Sequence, residues 1–79
     1  MKSVIIKLPT VEAVRTFVDV VRKYDADIDL SSGRYIVDAK SIMGIFSLDL
    51  INPIKLTAHM DNTDALFEEI KDFIIDTAE

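Results

Sequence analysis

Residues Ile54 to Met60 alternate without a break. Ile54, Leu56, Ala58 and Met60 point one way, and Lys55, Thr57 and His59 point the other. Period-two alternation is the signature of a strand that buries one face and wets the other. A chain built around such a strand needs a sheet covered on a single side. The cover must come from few residues, because the chain has only 79. A chain of this size makes one domain, here residues 1–79, and buries only about 60% of its unfolded surface. With 49% apolar residues it has enough material for a core without covalent staples.

The rest of the pattern supplies that cover. Lys2 to Leu8 is an apolar, β-branched run closed by Pro9, and it reads as a central strand. Thr10 is a candidate N-cap, with Glu12 in the first turn, where the helix dipole favours an anion. From Val11 to Tyr24 the period is helical. Val11, Val14, Val18 and Val21 line one face, widened by Phe17 and Val20, while Glu12, Arg15, Asp19 and Lys23 lie opposite. Asp19 and Lys23 are spaced for a helical ion pair. Asp27 to Leu30, a turn at Ser31-Ser32-Gly33, and Arg34 to Ala39 read as a β-hairpin. Ser41 caps a short helix that reaches Leu48. Asp49 to Pro53 connects it to the alternating strand. Asp61-Asn62-Thr63 opens a last helix, with Leu66, Ile70, Phe73 and Ile74 on its core face. The order is β-α-β-β-α-β-α. It predicts an α+β open-faced sandwich, with a four-stranded, largely antiparallel sheet and three helices on one face.

Composition excludes several roles. The net charge is −5, so phosphate backbones and anionic lipid surfaces repel the chain, and neither nucleic acid nor membrane is an expected partner. There is no cysteine, which rules out disulfides and thiolate metal sites and fits a reducing cytoplasm. The apolar run at the start is too short for a signal peptide and is broken by Lys7 and Pro9. No Asp, Glu and His cluster has metal-ligand spacing, and Gly33 and Gly44 are too far apart for a phosphate loop. Neither a metal, a cofactor nor an enzymatic activity is expected.

Lys40-Ser41-Ile42-Met43-Gly44-Ile45-Phe46-Ser47-Leu48 resembles the serine-site segment of the HPr family, the small phosphocarriers of the bacterial sugar phosphotransferase system. Asp27-Ile28-Asp29-Leu30 resembles the family's preceding strand, and Asp64-Ala65-Leu66 resembles the opening of its third helix. The resemblance covers nearly the whole chain and implies the same fold. It also exposes a departure. The family's Gly-(Ile/Leu)-His-Ala-Arg-Pro-Ala loop, which carries the phosphorylated histidine, has no counterpart here. By the family's interval from Ser41, that histidine falls near Thr10, and its arginine two positions on becomes Glu12. Imidazole, which accepts and releases a phosphoryl group at neutral pH, is gone, and an anion stands in place of the cation.

The candidate site residues each have an ordinary alternative. Thr10 is most simply a helix cap, since a threonine phosphate ester transfers poorly. His59, the single histidine, is most simply an exposed strand residue; a displaced nucleophile there is the rival to loss of transfer. Ser41 matches a serine that, in many family members, an ATP-dependent kinase phosphorylates. A phosphate there would sit at a helix N-terminus, although capping alone also explains a serine. Ile42, Met43 and Phe46 match an apolar patch that docks on partners in the family. Ile45 and Leu48 are placed to face the core, so those three cannot all be buried, and packing against the first helix is the alternative. The resemblance thus implies an HPr-like protein without carrier activity. It would be a cytoplasmic, bacterial regulatory or binding module for a protein partner: a regulator, a kinase or a phosphotransferase-system component controlling sugar transport. Self-association through the same patch is a further alternative.

Overall fold

The computed structural model describes residues 1–78, which form one layer of helices on one antiparallel sheet. The strands are β1 (Lys2–Ile6), β2 (Asp27–Ser32), β3 (Tyr35–Asp38), β4 (Ile54–His59) and β5 (Ile74–Thr77). The helices are α1 (Val11–Val21), α2 (Ile42–Phe46) and α3 (Asp64–Glu69). The sheet order is β3-β2-β4-β1-β5, and every pair is antiparallel.

The alternating strand sets the faces as its pattern requires. Ile54, Leu56 and Ala58 are buried, together with Val4 and Ile6 of β1 and Ile28 and Leu30 of β2. Val14, Phe17, Val18 and Val21 of α1, Ile45 of α2, Leu66 of α3 and Ile70 at its C-cap close the core over that face. The other face carries Lys55, Thr57, Asp29 and His59. Register matters here, because a slip of one residue would exchange the two faces. The hairpin turn is tighter than the sequence reading placed it. Ser31 and Ser32 stay in β2, and Gly33-Arg34 alone make the turn. Gly33 takes φ 60°, while Arg34 stays at negative φ, the combination of a type II′ turn.

The sheet has five strands, not the expected four. The last helix ends at Glu69 rather than running through Ile74. Leu66, Ile70, Phe73 and Ile74 do face the core, but only Leu66 does so from within the helix: Ile70 is its C-cap, and Phe73 and Ile74 lie beyond it. Phe73 packs edge-on against Phe17, with ring centroids 6.1 Å apart. Ile74–Thr77 then pairs with β1. The reason lies in β1, which would otherwise leave a row of backbone groups unpaired. The amide of Lys7 donates to the Phe73 carbonyl at 2.9 Å, and that of Ala78 to Ser3 at 3.3 Å. Phe73-Ile74-Ile75-Asp76-Thr77 is aromatic and β-branched, the composition that suits a strand. This strand also makes β1 internal, as its apolar run predicts.

The first helix ends at Val21, so Lys23 lies beyond it and does not pair with Asp19. Lys23 instead meets Glu69 at the end of α3, and the Tyr24 hydroxyl donates to the same carboxylate. No helix among the described residues is long and apolar enough to cross a membrane.

Candidate functional site

The segment around Ser41 is fixed by a chain of short-range bonds. Asp38 closes β3, and its Oδ1 accepts from the Lys40 amide at 2.8 Å while its carbonyl accepts from the Ser41 amide at 3.0 Å. Ala39 is fully buried, and its amide donates to the Ile28 carbonyl at 2.8 Å. Ser41 therefore enters α2 from a locked turn. Its Oγ accepts from the Gly44 amide at 3.1 Å, an N-cap bond that satisfies a free helix donor. Gly44 permits this seat. A Cβ there would lie 3.2 Å from both Ser41 Oγ and Val37 Cβ, so α2 rests directly on β3.

Two cations border this helix start. Lys40 Nζ donates to the Tyr24 carbonyl at 2.6 Å, just beyond the end of α1. Arg22 Nε donates to the Lys40 carbonyl at 3.1 Å. Sequence reading placed Lys40 beside Ser41 but missed Arg22, because that meeting depends on α1 and α2 packing end to side. The Tyr24 hydroxyl is raised in pKa, chiefly by its hydrogen bond to Glu69. The Glu69 carboxyl is lowered, first by its bond to Lys23 and then by that to Tyr24.

The three patch residues divide. Ile45 and Leu48 are buried, and Ile42 is half-buried against the core. Met43 and Phe46 are not absorbed: Met43 is 78% exposed and Phe46 44%. After α2, Asp49 accepts from the Ile51 amide at 3.2 Å and from the Asn52 side chain at 2.9 Å. This turn holds Ile51 out, 83% exposed. Ile51 was missed in the sequence because a lone isoleucine in a connection carries no period. The connection leads into Ile54, which pairs with Ile6, and Ile6 leads on to the start of α1. Ile51 and the exposed Val11 thus sit at the same end of the sheet.

Thr10 is a cap. Its Oγ1 accepts from the Ala13 amide at 3.0 Å, with Glu12 exposed in the first turn. His59 lies elsewhere. It is on the open face, at the β4 end paired with the beginning of β1, whereas Thr10 follows the far end of β1. Five strand residues separate the two ends, about 17 Å. His59 does have a carboxylate neighbour, absent from the sequence reading: Nε2 is 3.0 Å from Asp29 Oδ2. Asp29 is one diagonal step away on β2, a contact that only sheet register reveals. Among the described residues, no group of three or more His, Asp or Glu is arranged to hold a metal ion.

The family profile described as the PTS HPr component phosphorylation site matches residues 10–76. The chain belongs to the HPr family. That family is one of phosphocarrier components of the phosphotransferase system, whose members work on protein partners. The solved structures agree. HPr-C-His from Thermoanaerobacter tengcongensis superposes with a TM-score of 0.77 at 30% identity, covering 91% of this chain and 89% of that one. The phosphocarrier protein HPr from Bacillus anthracis str. Ames gives 0.70 at 26% identity, covering 94% of each. No curated protein matches the sequence. Within the matched span of this HPr-family chain, the histidine is His59 alone.

Proposed function

We propose that this HPr-family protein is a cytoplasmic, bacterial binding or regulatory module that has given up histidine phosphocarrier transfer. It binds a protein partner of the sugar phosphotransferase system or of its regulation through α2 and the start of α1. The observation that carries this reading is the exposure of Met43 and Phe46 on a helix whose other face is buried. Exposed Met and Phe grouped on one small helix are typical anchors of protein interfaces. The loss of transfer rests on chemistry. Thr10 occupies a helix start without an imidazole, and Glu12 opposes a phosphate there.

The finer part of the reading is a switch at Ser41. A kinase would move the γ-phosphoryl group of ATP to Ser41 Oγ, releasing ADP and the hydroxyl proton. The new dianion would meet the free amides of α2 and the guanidinium of Arg22, and would place charge beside Met43. The test is intact mass after incubation with ATP and an HPr kinase. One phosphate on the wild type and none on Ser41→Ala supports the switch. Phosphoenolpyruvate with enzyme I should label nothing, and a label on any residue would overturn the reading.

The rival is transfer through His59. One observation favours it: Asp29 orients the ring, as a carboxylate does in many proton-transfer pairs. Against it, no helix among the described residues starts on that open face. A label abolished by His59→Gln would decide for the rival.

A further inference from the structure

The sheet ends in two edges of opposite character. At β5, the pairing with β1 shifts register opposite Ile5 and Ile6, and the Asp76 carboxylate is turned onto the Thr77 amide. A bulge is a common way to blunt an edge. The β3 edge has no bulge. Its register with β2 is regular over Tyr35, Ile36, Val37 and Asp38. Tyr35 and Ile36 are each 71% exposed. The Ala39 amide turns inward to Ile28, so by strand alternation the amides of Ile36 and Asp38 turn outward, with the Asp38 carbonyl already accepting from the Ser41 amide at 3.0 Å.

We infer that β3 is a self-pairing edge, joining two copies of this chain antiparallel into one continuous sheet. The inference is independent of the α2 reading. What selects a second copy is charge register. A two-fold axis normal to the sheet keeps the helix faces on one side, so only residues on the same face stand opposite each other. Centred on Ile36, the pairing sets Ile36 against Ile36 on the open face and Tyr35 against Val37 on the helix face. It also sets Arg34 of each copy against Asp38 of the other, twice. Centred on Val37 instead, it would set Arg34 against Lys40 and Ile36 against Asp38, which is unfavourable at both places. Arg34 has no hydrogen bond or ion pair within its own chain among the described residues. Asp38 uses Oδ1 on the Lys40 amide and keeps Oδ2. Because α2 packs over Val37, the two α2 helices come to the same face, on either side of the dyad.

The interface is small, so the dimer is a weak one, in the micromolar-to-millimolar range. Sedimentation equilibrium on the whole chain, taken to about 1 mM, should show a monomer–dimer equilibrium that weakens with salt. Arg34→Glu should raise the dissociation constant about tenfold or more, and Arg34→Glu with Asp38→Lys should restore it. Since the chain has no cysteine, Ile36→Cys should oxidise to a covalent dimer while Ile75→Cys, on the other edge, should not. A monomer throughout that range would overturn the inference. So would a dimer indifferent to Arg34→Glu but lost in Met43→Asp, which would place self-association on α2. The circular dichroism of each variant at low concentration, unchanged from wild type, separates loss of pairing from loss of fold.

Discussion

Two helix starts in this protein are built alike and stand in different surroundings. Thr10 and Ser41 both sit in extended backbone, and each hydroxyl accepts from the amide three residues on, at 3.0 Å and 3.1 Å. Around them the chemistry diverges. Thr10 is exposed, with Glu12 in the first turn. Ser41 is half-buried, next to Lys40 and Arg22, at the head of a helix that shows Met43 and Phe46 to solvent. A cap bond therefore carries no functional information by itself. The side chains a helix start collects from elsewhere in the fold decide what it can hold.

The largest break in the likeness is at the third helical residue. Ala13 in α1 already has a Cβ, whereas Gly44 in α2 has none because Val37 stands 3.2 Å from where it would lie. Gly44→Val should therefore cost ~2 kcal/mol through overpacking on the strand. Ala13→Val should cost only ~0.5 kcal/mol of helix propensity. Urea unfolding of both would measure the gap. Equal costs would mean that α2 is free to lift from β3.

The caps come next. Thr10→Ala and Ser41→Ala should each lose ~1 kcal/mol, since the two bonds are equivalent. The phosphate gained from ATP and an HPr kinase should nevertheless vanish only in Ser41→Ala. A phosphate lost in Thr10→Ala as well would erase the difference between the two caps. Glu12→Lys is a smaller change. It removes an anion from the positive end of α1 and should cost ~0.5 kcal/mol at low salt. It also supplies the missing cation. Phosphoenolpyruvate with enzyme I should still leave the variant unlabelled, because charge does not replace an imidazole.

Much of this was legible in the sequence where a period repeats. The alternation of Ile54–Met60, the run of Lys2–Leu8 and the helical spacing from Val11 to Tyr24 point to one covered face and its main cover, although the helix stops at Val21 and Val11 itself is exposed. The tail was not legible. Leu66, Ile70, Phe73 and Ile74 fit a helix by spacing, and short apolar runs suit either element. What decided for a strand was the open edge of β1, more than sixty residues earlier in the chain. The site divides the same way. Ser41 and Thr10 follow from local capping rules. Arg22 against Lys40, Asp29 against His59 and Lys23 against Glu69 are meetings of elements, and no local pattern announces them.

The smallest expected effect probes that last kind of contact. Glu69 holds Lys23 and Tyr24, and the Tyr24 carbonyl in turn takes Lys40 beside Ser41. The Glu69 carboxyl is lowered in the folded state, chiefly by Lys23. A lowered acid contributes stability that is present above its unfolded pKa, about 4.3, and is lost as pH falls through the lower folded value. The group is exposed, so the global effect is slight. Its consequence should instead be local. As pH drops from about 5 to 3, amide protection at Gly44 should weaken before protection at Ala13 does. In Glu69→Gln the difference between the two amides should no longer vary with pH. Hydrogen exchange by NMR reads both at once. Parallel loss at Gly44 and Ala13 in the wild type would mean that the Glu69 clamp does not reach Ser41, and that the two helix starts are held with equal firmness.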